Sequence, residues 1–117
     1  MIESPSRGVF TLMKTITCDE LKEWMDSGKK FQLIDVREDL ELNYGIIDGS
    51  EHIKMSEVMD NLEKIRKDAP IVVYCRSGNR SEIVSLTIEK EIKGVETYNL
   101  VGGILSWKKF DPNIQEY

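Results

Sequence analysis

Cys75 opens the stretch of this chain richest in chemistry: Cys75-Arg76-Ser77-Gly78-Asn79-Arg80-Ser81. A cysteine attacks as its thiolate, and an ordinary thiol with a pKa of about 8.5 is little ionised at neutral pH. Three features of the stretch favour ionisation. Arg76 and Arg80 are cations close by in sequence. Gly78 and Asn79 tolerate left-handed backbone angles, so successive loop amides can turn inward. A helix-like pattern begins at about Arg80, and a helix N-terminus carries partial positive charge. The same features hold an anionic substrate against the sulfur, and the Ser77 and Ser81 hydroxyls add donors. The plainer alternative is a structural cysteine in a solvated loop. Two arginines, a glycine and a helix start around one thiol argue against it.

The elements around the stretch determine where that thiol sits. Ile71-Val72-Val73-Tyr74 is a continuous apolar run, as expected of a central strand covered on both faces. It delivers Cys75 to the carboxyl end of the strand, where open α/β sheets bind ligands. Further strands are expected over 31–36 and 95–100, with a short one within 52–55. Thr17 and Glu20 form a capping box for a helix that Gly28 ends, and Leu21, Trp24 and Met25 make its apolar face. Residues 37–44 suggest a short helix or turn. Ser56 is the expected cap of a second helix with Val58, Met59, Leu62 and Ile65 on one side. After Arg80, Ile83, Val84, Leu86, Ile88 and Ile92 predict a helix with a broad buried side, stopped by Gly94. A closing helix is expected over 104–109. Residues 1–14 read as an N-terminal extension, with a short strand near Val9 to Met13, and 15–117 as one domain. The alternation of strands and helices predicts an α/β fold, a parallel sheet with helices on both faces.

Bulk properties exclude several functions. The chain has 117 residues, which suits one core, and its net charge of -5 argues against nucleic acid or an anionic membrane as partner. No apolar run approaches the roughly 18 residues a spanning helix needs. The N-terminus lacks the basic and apolar regions of a signal peptide, so a cytoplasmic location is expected. Cys18 and Cys75 are expected to be free thiols. With His52 the single histidine and no Cys-x-x-Cys, neither a metal site nor a cofactor is expected.

Cys75, Gly78, Arg80 and Ser81 resemble, residue by residue, the Cys-x-x-Gly-x-Arg-Ser/Thr loop of rhodanese sulfurtransferases. Leu33 to Glu38, with Glu41, Gly45 and Gly49 in register, is similar to that family's first signature. Residues 98–107, with Gly102-Gly103 and Trp107, are similar to its C-terminal one. The resemblance covers roughly residues 15 to 110 and implies a rhodanese fold, with a parallel five-stranded sheet flanked by helices. It implies that Cys75 takes a sulfane sulfur from a small anionic donor such as thiosulfate, carries it as a persulfide, and yields it to cyanide or a thiol. It further implies that the amides of 76 to 80 stabilise the persulfide anion. Arg76 is then the candidate for direct donor binding, and Arg80 braces the loop and adds positive field. Ser77, Asn79 and Ser81 complete the expected binding loop.

The chain departs from the pattern where Ile46 replaces a usual histidine, a position read as structural. His52, Asp35 and Arg37 are read as structural too, the last two as an internal ion pair or cap, and Cys18 as packing. Three rivals stand beside sulfur transfer to a small acceptor. A phosphatase on the same fold uses a loop one residue longer, whereas four residues separate Cys75 from Arg80 here. A non-catalytic binding module would usually lack the cysteine. A sulfur carrier would pass the persulfide sulfur to a protein partner in cofactor or tRNA thiolation, and the residues leave that role open.

Overall fold

A computed structural model describes residues 13–115. The expected strand near Val9 to Met13 lies outside the described residues but for Met13. The first strand among the described residues, β1, is Lys14–Ile16. Four more follow: β2 Gln32–Asp35, β3 Glu51–His52, β4 Ile71–Tyr74 and β5 Thr97–Leu100. All pair in parallel, in the order β1-β5-β4-β2-β3. The most apolar strand, β4, is therefore central, as its composition requires: all four of its residues are buried.

Helix α1 spans Cys18–Asp26, and its capping box is complete. The Glu20 N–H donates to Thr17 Oγ1 at 3.1 Å, and the Thr17 N–H to Glu20 Oε1 at 2.9 Å. Helix α2 spans Asn79–Glu91 and α3 Gly103–Trp107. The sheet alternation splits the core in two. On one face Ile34, Val36, Ile71, Val73 and Cys75 pack against Val84 and Ile88 of α2. On the other, Leu33, Val72, Tyr74 and Leu100 pack against Leu21 of α1 and Ile104 and Trp107 of α3.

Three expectations need correction. The segment after Ser56 is no α-helix but two short 3-10 segments, Met55–Glu57 and Met59–Lys64. Asn61 leaves helical angles (φ -129°, ψ 28°), and Ser56 lies inside the first segment rather than capping it. Val58 and Ile65 are buried all the same, because burial needs the apolar side chains and not a continuous helix. The buried side of α2 is narrower than expected. Ile83 and Leu86 are 52% and 41% exposed, since only the stripe through Val84 and Ile88 meets the sheet. The closing helix is shorter than 104–109 and starts one residue earlier, at Gly103.

Candidate active site

Cys75 follows directly on β4 at the carboxyl edge of the sheet. Gly78, at φ +115°, is the left-handed residue that turns the chain into α2, and Asn79 is already helical. That turn aims donors back at the sulfur. The Gly78 N–H donates to Cys75 Sγ at 3.1 Å and the Ser81 N–H at 3.4 Å, with Ser81 Oγ also 3.4 Å away. Burial pushes the Cys75 thiol up, but the Ser81 hydroxyl and the N–H groups of Ser81, Gly78 and Arg80 outweigh it. The thiol is left below its ordinary value. Of the three features expected to favour the thiolate, the inward-turned loop amides and the helix start are the ones that supply these donors.

Arg80 faces a carboxylate instead. Its Nη1 and Nη2 donate to Glu41 Oε1 and Oε2 at 2.6 and 2.9 Å, a bidentate pair that largely cancels its field. The expected brace is therefore present, and the expected positive field is reduced. Glu41 lies on the 3-10 segment Asp39–Tyr44, which is anchored in turn by Arg37. Arg37 is wholly buried, and its Nη2 lies 2.8 Å from Asp35 Oδ2. It also donates to the Glu41 carbonyl at 3.2 Å and the Gly45 carbonyl at 2.7 Å. A buried guanidinium with its carboxylate and two carbonyls satisfied holds a segment rigidly. Asp35 and Arg37 are thus the internal ion pair expected of them. His52 Nε2 lies 2.6 Å from the Arg37 carbonyl oxygen, a structural contact.

On the far side of the loop, α3 supplies backbone. The Ile104 N–H donates to the Cys75 carbonyl at 2.9 Å and the Leu105 N–H to the Arg76 carbonyl at 3.2 Å. These two bonds hold the first two peptides of the loop against α3. Such close approach needs Gly103, where an added Cβ would stand 2.4 Å from the Arg76 carbonyl oxygen.

Of the residues expected at the site, Cys75, Gly78, Ser81 and the amide of Arg80 converge on the sulfur. Arg76 is half-buried on the loop, and Ser77 and Asn79 are exposed on it. Ser81 is buried, so its hydroxyl serves the sulfur and not open solvent. Two contributors are not among the residues expected at the sulfur: Gly103, read only as part of the Gly102-Gly103 pair of the C-terminal signature, and Asn99, which accepts from Ser81 and donates to the Gly78 carbonyl. Cys18 is buried on the opposite face of the sheet, and burial pushes its thiol up. Among the described residues no group of three or more His, Cys, Asp or Glu could hold a metal ion. No helix among them is long and apolar enough to cross a membrane.

The family model of the rhodanese-like domain matches residues 17–110. The chain is similar to the putative sulfurtransferase YtwF of Bacillus subtilis, 36% identical over 96 residues, which cover 82% of this chain and 91% of that protein. The crystal structure of a rhodanese-like domain protein from Staphylococcus aureus superposes with a TM-score of 0.75 at 36% identity, covering 81% of this chain and 91% of that one. A yeast protein tyrosine phosphatase of the rhodanese family, Ygr203w, gives a TM-score of 0.71 over 90% of this chain and 92% of its own. At 18% identity that likeness is one of fold alone.

Proposed function

The chain belongs to the rhodanese-like domain family, and from that premise we propose that it is a sulfurtransferase working through a persulfide on Cys75. The observation that carries this is the ring of donors from Gly78, Arg80 and Ser81 around one buried sulfur. In the first half-reaction the Cys75 thiolate attacks the outer sulfur of a donor such as thiosulfate. A Cys75–sulfur bond forms, the donor S–S bond breaks, and sulfite leaves with the electron pair. In the second, cyanide or a thiolate attacks the outer sulfur and the Cys75 thiolate leaves. The loop amides suit the anion at both stages. Cys18, across the sheet, is not placed to resolve the persulfide, so the acceptor comes from outside, as a small molecule or a protein thiol.

Two observations favour this over phosphoryl transfer. Four residues separate Cys75 from Arg80, and the Arg80 guanidinium is engaged by both oxygens of Glu41 instead of facing an open anion site. Mass spectrometry after thiosulfate treatment should find one added sulfur on the Cys75 peptide, discharged by cyanide as thiocyanate. No added sulfur with thiosulfate, polysulfide or glutathione persulfide sinks the proposal, and so does phosphatase turnover at the same site.

Arg76 is the proposed contact for the anionic donor, with Ser77 and Asn79 at the exposed rim. Arg76→Ala is expected to raise KM for thiosulfate about tenfold with kcat nearly unchanged, the loss of one charge-assisted contact. Steady-state kinetics at several thiosulfate concentrations decide it. An unchanged KM removes Arg76 from donor binding.

A further inference from the structure

Asn99 is the buried polar side chain at this site that sulfur transfer, as written, leaves unused. It stands in β5, 9% exposed, with both ends of its amide engaged. Its Nδ2 donates to the Gly78 carbonyl at 3.1 Å, which fixes the amide and turns Oδ1 toward α2. There Ser81 Oγ donates to Oδ1 at 2.5 Å, and the same Oγ lies 3.4 Å from Cys75 Sγ. A serine hydroxyl has one proton. While that proton is on Asn99, Ser81 can only accept from the sulfur, which suits a protonated thiol. A thiolate can only accept, so once Cys75 ionises Ser81 must swing its proton from Asn99 to the sulfur.

We infer that Asn99 is a positioning residue that competes with Cys75 for the single proton of Ser81, and so sets how readily the sulfur ionises and leaves. The inference rests on Cys75 being the nucleophile. When the thiolate attacks a donor, the charge leaves Sγ for the leaving group and the new outer sulfur, and the Ser81 proton returns to Asn99. When the acceptor takes the outer sulfur, the S–S electron pair returns to Sγ and the proton swings back. The hydroxyl reorients once per half-reaction, and no proton is gained or lost by the protein. The charged groups around the sulfur are paired or lie outside this relay. Arg80 is held by Glu41 of the 3-10 segment, and Arg37 by Asp35 at the end of β2. Arg76 is half-buried on the loop, and Glu82 of α2 is exposed. No charged residue stands in α3 (GILSW) or β5 (TYNL), and Tyr98 of β5 packs on the other face of the sheet.

The test is the pH profile of Cys75 alkylation by iodoacetamide, read peptide by peptide. Asn99→Ala frees the Ser81 proton for the thiolate. The midpoint should fall, with alkylation below it about threefold faster, the effect of one modest hydrogen bond. Ser81→Ala should raise the midpoint, and in Ser81→Ala/Asn99→Ala the threefold gain should vanish. If Asn99 merely braces the Gly78 carbonyl, its loss loosens the amide ring and the midpoint rises in both backgrounds. That rise, or no change, overturns the proposal. Should Asn99→Ala fail to fold, Asn99→Asp serves. Its carboxylate holds the Ser81 proton harder, so it must raise the midpoint more with Ser81 present than in Ser81→Ala, and equal shifts overturn the relay. The profile needs no sulfur donor. An intact relay with no persulfide would therefore fault the sulfurtransferase proposal and not this one.

Discussion

Cys75→Ser is expected to leave a folded protein that transfers no sulfur. The substitution replaces a thiol held below its ordinary pKa with a hydroxyl that does not ionise near neutrality. The donors of Gly78, Arg80 and Ser81 would then surround an atom with no anion to stabilise. Turnover from thiosulfate to cyanide should drop by roughly a thousandfold or more, the scale of removing a covalent nucleophile. Stability should hardly change. The side chain is 1% exposed and loses little volume, and its oxygen can still accept from the Gly78 and Ser81 amides. A melting temperature within a few degrees of the parent is expected. Paired melting curves and thiocyanate assays separate loss of chemistry from loss of fold. Cys18 is the internal control. It remains a thiol in the variant, but burial pushes it up and it packs on the other face. Sulfur transfer that survives with the added sulfur on Cys18 would refute the assignment of Cys75.

The parts of the fold that could be read in sequence were those set by local rules. The run 71–74 declared a central strand because nothing in it suits solvent. Thr17 and Glu20 declared a helix start because each side chain needs the other's amide. The loop was legible for the same reason, since Gly78 at left-handed angles and a helix start lie within six residues of Cys75. What escaped depends on partners far along the chain. Glu41 is 39 residues from Arg80, and no local pattern says that it will take the guanidinium and cancel its field. Ile83 and Leu86 carry the same apolar character as Val84 and Ile88, and only the position of the sheet tells them apart. Asn99 did leave a trace. An asparagine within a buried strand is disfavoured unless its amide is fully bonded, so Thr97 and Asn99 on alternate positions mark a polar task inside the core.

Gly103→Ala is expected to cost both stability and activity, through contact with the loop that follows Cys75. Gly103 sits at φ +60°, where a side chain adds about 1 kcal/mol of strain. Several glycines of this chain share positive φ, so strain alone does not single it out. The difference is what a methyl would meet. At Gly94, φ +86°, an added Cβ has nothing within 4 Å. At Gly103 it would stand 2.4 Å from the Arg76 carbonyl oxygen and 2.6 Å from that of Cys75. Those are backbone atoms, which no rotamer change can move aside. Relief must come from parting α3 and the loop, and that breaks the bonds from the Ile104 and Leu105 amides to the same two carbonyls. Once released, the start of the loop no longer fixes where the Gly78, Arg80 and Ser81 N–H groups stand against the sulfur. Gly94→Ala should therefore lower stability by about 1 kcal/mol with activity intact. Gly103→Ala should lower it by about 3 kcal/mol and cut kcat/KM by roughly a hundredfold. It should also move the Cys75 alkylation midpoint up, because the donors that hold the thiol down are displaced. Denaturant melts, thiosulfate kinetics and the alkylation profile of the two variants, run side by side, separate strain from collision. If Gly103→Ala behaves like Gly94→Ala in all three, the docking of α3 does not shape the loop.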